Sequence, residues 1–434
     1  MKLLFILSEY LPDSGGGIIS FYGQVLPELV HCGHEVSVLV ANHHQLDRPA
    51  AEVDGVRVEY LQASRLEAAR AGLQRFQPTP TLWAFLPLAW AAFHQCDGGA
   101  GFDVVESTDW MLLLAPWVVA KGKAPVVVSL HGSCGQVDWY GQPDRSFADS
   151  DFVRLIETAL IRQAMTVHAN SRNNAEFWIR QTARPVAVIP PAFPGPAKAA
   201  LNPPPVREVG LVVGRLQSWK GPHVLCEALR LVPAARVEWI GRDTVWNSTG
   251  ELTSSFLARQ YSDVFGSRLI HRSPAPHAEV LRQMQGAKFV CVPSTWDVFN
   301  LTAAEALASG TPLICSSGAG AEMLVAHGVN GFRFESGNAD ALAACLRAVL
   351  AQSTGERDQM VERAGKTIQA QLAPDHIATL LTTRYQEIRR RGISTQGDEW
   401  LEHLLTPAAA NPAPKRSGFI TKARRILARV AKGK

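Results

Sequence analysis

Residues 3–40 read LLFILSEYLPDSGGGIISFYGQVLPELVHCGHEVSVLV, and this stretch decides the fold. Leu3–Leu7 is a short unbroken apolar run, the pattern of a strand buried on both faces. Gly15, Gly16 and Gly17 follow as a turn, a helical pattern runs through Phe21–His31, and Glu35–Val40 reads as a second strand. Strand, glycine turn, helix and strand make one βαβ unit, so the two strands are expected to lie parallel under a covering helix.

The rhythm continues at Val104–Glu106, Val126–Leu130, Thr166–Ala169 and Val186–Ile189, then a Pro-rich stretch from Pro190 to Pro205 interrupts it. That stretch reads as an extended linker. Strand patterns restart at Val209–Val213, Arg236–Ile240, Arg268–His271, Phe289–Val292 and Pro312–Cys315. Helices are expected between them at Gly221–Leu231, Ala278–Gln285, Leu301–Ala308 and Asp340–Leu350. The expected architecture is α/β: two Rossmann-like doubly wound parallel-sheet domains facing across a cleft, at residues 1–190 and 206–374. Residues 191–205 link them, 375–405 form a helix returning to the first domain, and 406–434 are a Pro/Ala spacer and basic tail.

The chain has 434 residues, 47% of them apolar, enough for two ordinary cores. A net charge of +4 gives no argument for nucleic acid. Seven widely spaced cysteines with no C-x-x-C argue against a disulfide framework or a zinc site. The Leu3–Leu7 run is shorter than the core of a signal peptide. Leu82–Phe93 and Trp110–Ala120 fall short of the ~20 residues of a membrane span. A cytoplasmic location is expected.

In doubly wound sheets ligands bind beyond the C-terminal strand ends, so the chemistry is sought in those loops. Gly16 and Gly17 open a helix, where unpaired amides favour an anion; a plain flexible turn is the other reading. Arg215 and Lys220 flank the loop after Val209–Val213. They are either a pair of cations for a diphosphate or solvated surface charges. Asp297 lies in a post-strand loop and Glu305 eight residues later on the next helix, where a carboxylate can hold a vicinal diol such as a ribose. His131 follows the strand at Val126–Leu130, facing a cleft or serving the core.

These four stretches, with Gly33-His34-Glu35-Val36 and Gly320-Ala321-Glu322, stand in the order found in the retaining group 1 glycosyl transferases of GT-B fold, the glycosyltransferase family 4-like kind. The chain resembles that family over about its first 390 residues. The resemblance implies that the Gly16-Gly17 backbone lies near the diphosphate, Arg215 and Lys220 bind phosphates, and Glu305 holds the nucleotide ribose. It also implies that the turn containing Phe299, Asn300 and Leu301 presents amides to the donor, and that His131 and Asp297 meet the transferred sugar. Two positions depart from the family: Asp297 stands where Glu is usual, shorter by roughly 1.5 Å of reach, and Asn300 stands where Gly is common. Asp297 then signals either a different donor sugar or reduced activity.

The expected reaction is sugar transfer from a nucleoside-diphosphate sugar to a glycan or lipid-linked acceptor with retention. No cofactor and no metal are expected, since Arg215 and Lys220 supply the positive charge. A phosphorylase or epimerase on the same fold, and a non-catalytic nucleotide- or sugar-binding protein, are the alternatives. Acceptor choice is expected from Ser133–Asp149 and the Trp83/Trp90 segment; Trp139 and Tyr140 stack on a sugar or simply pack. In the tail, Phe419, Ala423, Ile426, Leu427 and Val430 share one helical face flanked by Lys422, Arg425, Arg429 and Lys432. This is either a peripheral anchor on the anionic inner face of a membrane or a solvated tail.

Overall fold

The computed structural model describes residues 1–13, 16–141, 148–195, 204–246, 250–393 and 398–408. Gly15, part of the Ser133–Asp149 stretch, most of the Pro-rich linker and the basic amphipathic tail lie outside the described residues.

Leu3, Phe5, Ile6 and Leu7 are all buried, because the first strand, β1 (Lys2–Leu7), lies in the middle of a sheet covered on both faces. The others are β2 (Glu35–Val40), β3 (Ala51–Val53), β4 (Val56–Tyr60), β5 (Val104–Thr108), β6 (Val126–Leu130), β7 (Thr166–Ala169) and β8 (Ala187–Val188). Their order is β3-β4-β2-β1-β5-β6-β7-β8, with every pairing parallel except the β3–β4 hairpin. The second sheet holds β9 (Gly210–Val213), β10 (Val237–Ile240), β11 (Leu269–Arg272), β12 (Val290–Val292), β13 (Leu313–Ser316) and β14 (Phe332–Phe334), ordered β11-β10-β9-β12-β13-β14 and wholly parallel. Chain direction across the sheet reverses between β1 and β5 in the first and between β9 and β12 in the second. Two doubly wound α/β domains are therefore present.

The structure adds elements that sequence patterning passed over: the β3–β4 hairpin, β14, and helices at Thr253–Gln260 and Thr354–Leu372. After the second sheet, the helix Pro374–Arg391 packs on the helix Gly17–His31 and buries Ile377, Leu381, Tyr385 and Ile388 in the first domain. Leu401 and Leu405, from the short helix Glu399–Leu405, enter the other face of the same domain. Trp90 sits in the helix Pro80–Gln95 rather than in a loop. It is buried, and its indole N–H donates to the Leu405 carbonyl at 2.9 Å, so it anchors the returning chain and does not face an acceptor.

Five of the seven cysteines are buried, as small core residues would be. No helix of the described residues is long and apolar enough to cross a membrane.

Candidate active site

The second domain supplies most of the site, from the two loops that flank its switch point. After β9 the chain turns through Gly214 and Arg215 into a short 3-10 turn, Ser218–Lys220. Gly221 ends that turn at φ +72, and a Cβ there would fall 2.0 Å from the Pro293 carbonyl. The Lys220 loop can therefore cross the Pro293 loop only on a glycine. The crossing brings Lys220 Nζ onto Asp297 Oδ2 as an ion pair, with side chains 19% and 18% exposed.

Asn300 Nδ2 donates to the same Asp297 oxygen at 2.8 Å, and its Oδ1 accepts from Ala303 N–H at 3.3 Å, capping the helix Leu301–Ala308. Its φ is +81, the left-handed region. That explains the departure from the family's Gly, since Asn is the side chain best tolerated there and is also a strong N-cap. The loop is braced by Asp297 N–H to the Gly318 carbonyl (2.9 Å), Gly320 N–H to the Asp297 carbonyl (3.0 Å) and Ala321 N–H to the Phe299 carbonyl (2.7 Å). Among the described residues the amides of Val298, Phe299 and Asn300 donate to no protein acceptor. The Phe299 side chain is core, so only its backbone can serve a ligand, and Leu301 is half-buried in the first helical turn.

Arg215 is exposed and makes no hydrogen bond or ion pair among the described residues; Asp297 and Arg242 are the charges within its electrostatic reach. Glu305 stands one turn into its helix, with a side chain 16% exposed, and Oε1 meets His277 Nε2 at 2.8 Å. Burial raises its carboxyl above the ordinary value, against the pull of His277. His277 opens the helix His277–Gln285 and was not singled out in the sequence.

The first domain contributes His131, at the end of β6. Gly132 beside it has φ +103, and a Cβ there would lie 2.8 Å from Val298 Cγ2, so His131 sits at the seam with the Asp297 loop. The ring is half-buried and edge-on to Phe21 at 4.7 Å. Its Nε2 lies 2.9 Å from Ser129 Oγ and 3.3 Å from Tyr22 Oη, while Asp109 accepts its backbone N–H at 2.7 Å. Burial pushes the imidazole down to about 3. Beneath it Glu106, 1% exposed, accepts from Tyr22 (2.7 Å) and from Tyr385 of the returning helix (2.6 Å). Burial raises Glu106 to about 7, opposed by those two hydrogen bonds.

Gly16 is the N-cap of the helix Gly17–His31. Its amide is taken by Glu9 Oε1 at 3.1 Å, while Gly17 begins the helix with no hydrogen-bonded partner for its own N–H among the described residues. Neither glycine is hydrogen-bonded to the second domain among the described residues. The candidates therefore fall into three groups: Lys220, Asp297 and Asn300 in contact with Arg215 beside them; His131, whose neighbour Gly132 faces Val298; and Glu305 with His277. The domains also meet where Tyr140 stacks on Trp296 (4.5 Å, 7° between planes), where Trp219 covers Gly141, and where Asn173 Nδ2 donates to the Ser317 carbonyl at 2.7 Å. Tyr140 is thus engaged by protein. Trp139 is exposed beneath the Arg154 guanidinium, 5.0 Å from its ring. No cluster of three His, Cys, Asp or Glu side chains able to hold a metal occurs among the described residues.

Comparison with known proteins places this arrangement. Residues 197–367 match the family model described as glycosyl transferases group 1, and residues 16–192 match the glycosyl transferase 4-like domain. The chain is a group 1 glycosyl transferase. It is 26% identical over 356 residues to the D-inositol 3-phosphate glycosyltransferase of Mycolicibacterium gilvum, covering 78% of this chain and 79% of that one. The Mycobacterium leprae protein of the same name is 25% identical, covering 92% and 94%. Among solved structures, this glycosyl transferase matches the sucrose-phosphate synthase of Thermosynechococcus elongatus at TM-score 0.68 and 19% identity, covering 90% of this chain and 100% of that one. It matches Anabaena HepE in complex with UDP-glucose at TM-score 0.59 and 19% identity, covering 89% and 100%. These likenesses establish the GT-B fold for the pair of domains.

Proposed function

We propose that this glycosyl transferase moves a sugar from a nucleoside-diphosphate sugar to a hydroxyl of a glycan or lipid-linked acceptor, with retention at the anomeric carbon and without a metal. The observation that carries it is the convergence of Arg215, Lys220 and the amides of Val298–Asn300, unpartnered among the described residues, around Asp297, beyond β9 and β12. Two cations and a row of N–H groups are what a departing diphosphate requires. Glu305 would take the ribose diol, and Asp297 and His131 the sugar hydroxyls. The acceptor oxygen then bonds to the anomeric carbon as the carbon–phosphate oxygen bond breaks. A phosphate oxygen on the same face receives the acceptor proton.

HepE was solved with UDP-glucose and a starch synthase IV with ADP, so uridine and adenosine donors head the panel to be tried. Thermal stabilisation by UDP, ADP and GDP would identify the base, because a ligand that binds only the folded state raises stability by mass action. Transfer from the matching sugar nucleotide with excess EDTA, followed by proton NMR of the fresh product, tests metal independence and retention together. D-inositol 3-phosphate, which stands in the name of the mycobacterial relatives, belongs in the acceptor screen. A protein that binds nucleotide but releases sugar no faster than background would support the non-catalytic alternative. The tail beyond Ala410 would hold the enzyme at an anionic inner membrane face. Full-length protein should sediment with anionic liposomes at low salt, and a truncation at Ala410 should not.

A further inference from the structure

Glu305, assigned above to the nucleotide ribose, has a side chain that is mostly buried, and burial raises its carboxyl above the ordinary value. Such a group loses its charge or turns toward water unless a donor holds it. Among the described residues the donor is His277: its Nε2 meets Glu305 Oε1 at 2.8 Å, while Oε2 has no protein partner. An ionised carboxylate has only lone pairs to offer, so with Glu305 charged the hydrogen of this bond belongs to His277 Nε2. Oε1 keeps a second lone pair and Oε2 both of its own, so the hydroxyls of a diol still find acceptors there.

The two residues are brought together by packed backbone. His277 is the first residue of the helix His277–Gln285 and follows Ser273-Pro274-Ala275-Pro276, which leaves the C-terminal end of β11. The two prolines stiffen that connection. Val280 and Met284 of the helix enter one core with Ala303, Ala306 and Leu307 of the helix Leu301–Ala308, which carries Glu305. The Thr311 hydroxyl donates to the Met284 carbonyl at 2.7 Å, in the buried interior. The imidazole is exposed, yet its backbone is fixed against the helix of its partner. A glutamate side chain has several torsions to lose on being ordered, and this contact holds its far end.

We propose that His277 is a positioning residue for the nucleotide: its Nε2–H holds the Glu305 carboxylate in place, so that the remaining lone pairs accept the ribose hydroxyls. This rests on the reading of Glu305 as the ribose ligand. The effect of His277 passes wholly through Glu305 and therefore through the diol.

Calorimetry on the full chain at about pH 8, above the ordinary carboxylate range, with UDP, ADP and GDP, each beside its 2′,3′-dideoxy form, isolates the diol. The wild type should prefer the ribose form of the nucleotide it binds, and Glu305→Ala should abolish that preference. His277→Ala should weaken the ribose form about threefold to tenfold, the range of one hydrogen bond. It should leave the dideoxy form unchanged and add nothing in the Glu305→Ala background. His277→Gln, whose amide N–H can reach the same oxygen, should recover most of the loss. A merely structural role would weaken both forms alike. Equal or tighter binding of the ribose form by His277→Ala, or a loss shared by the dideoxy form, overturns the proposal and leaves Glu305 at the ribose. If Glu305→Ala keeps the ribose preference, or none of the three nucleotides binds, the ribose assignment itself falls and the proposal with it.

Discussion

The Ser171 hydroxyl donates across 2.5 Å to the Val298 carbonyl while accepting the Asn174 N–H at 3.2 Å. One side chain thus caps a first-domain helix and grips the second domain beside Asp297. Ser171→Asp keeps a good capping oxygen but loses the donor and sets a negative charge against the carbonyl. The variant should melt close to the wild type and show a larger radius of gyration by small-angle scattering. An unchanged profile would mean that this bond does not hold the seam.

Arg215→Ala and Lys220→Ala each remove a charge-assisted contact worth roughly 1.5–3 kcal/mol in a donor complex. Turnover efficiency should fall about tenfold to hundredfold with the fold intact. Wild-type rates in both variants would move the donor site elsewhere.

Glu305 and Asp297 should separate by ligand. Glu305→Ala ought to weaken binding of the bare nucleoside diphosphate, which carries the ribose. Asp297→Ala ought to leave that binding and impair transfer. Calorimetry with UDP or ADP on each variant decides, and the opposite pattern refutes the assignment.

Asn300 tests the backbone. Asn300→Gly and Asn300→Ala lose the same cap and the same bond to Asp297, but only alanine must hold a Cβ at φ +81. Alanine should be the less stable of the two by about 1–2 kcal/mol in denaturant unfolding. Equal stabilities would show that the loop relaxes.

His168 and His131 also set a pH dependence. Both are held near 3, below the usual 6.5, so between those values the unfolded chain binds more protons at these sites. Their contribution to stability is present above about 6.5 and is lost as pH falls toward 3. Glu106 and Asp109, raised to about 7, and Glu157, raised to about 8, push the other way, favouring the folded state at low pH. His168→Gln should therefore lower the slope of unfolding free energy against pH, between pH 4 and 6, by about 1.4 kcal/mol per unit, one proton's worth. A slope equal to the wild type's would show that His168 is not held neutral.

What the sequence made legible follows local periodicity. β1, β2 and the helix between them announce themselves by spacing alone, as do the loops carrying Arg215 and Asp297. The β3–β4 hairpin had its own signal, Asp54-Gly55 with φ +50 and +79 between alternating strands, the pair that a tight hairpin turn favours. Helix Thr354–Leu372 was marked by Ser353 and Glu356, which form a capping box, but its sparse apolar face (Met360, Ala364, Ile368, Leu372) hid it. Glu9 on Gly16, His277 on Glu305 and the Tyr22–Glu106–Tyr385 bridge obey no spacing rule. Their partners are brought together only by tertiary packing.

The return of Pro374–Arg391 to the first domain has a consequence for synthesis. When the ribosome has made residue 192, the first sheet is complete in sequence, yet Ile377, Leu381 and Tyr385 of its core do not exist. Glu106 then lacks one of its two phenol donors. At ordinary elongation rates that interval lasts roughly 10–40 s. The nascent amino-terminal half must wait, its groove open to chaperones, until the second domain has emerged and carried the missing helix back.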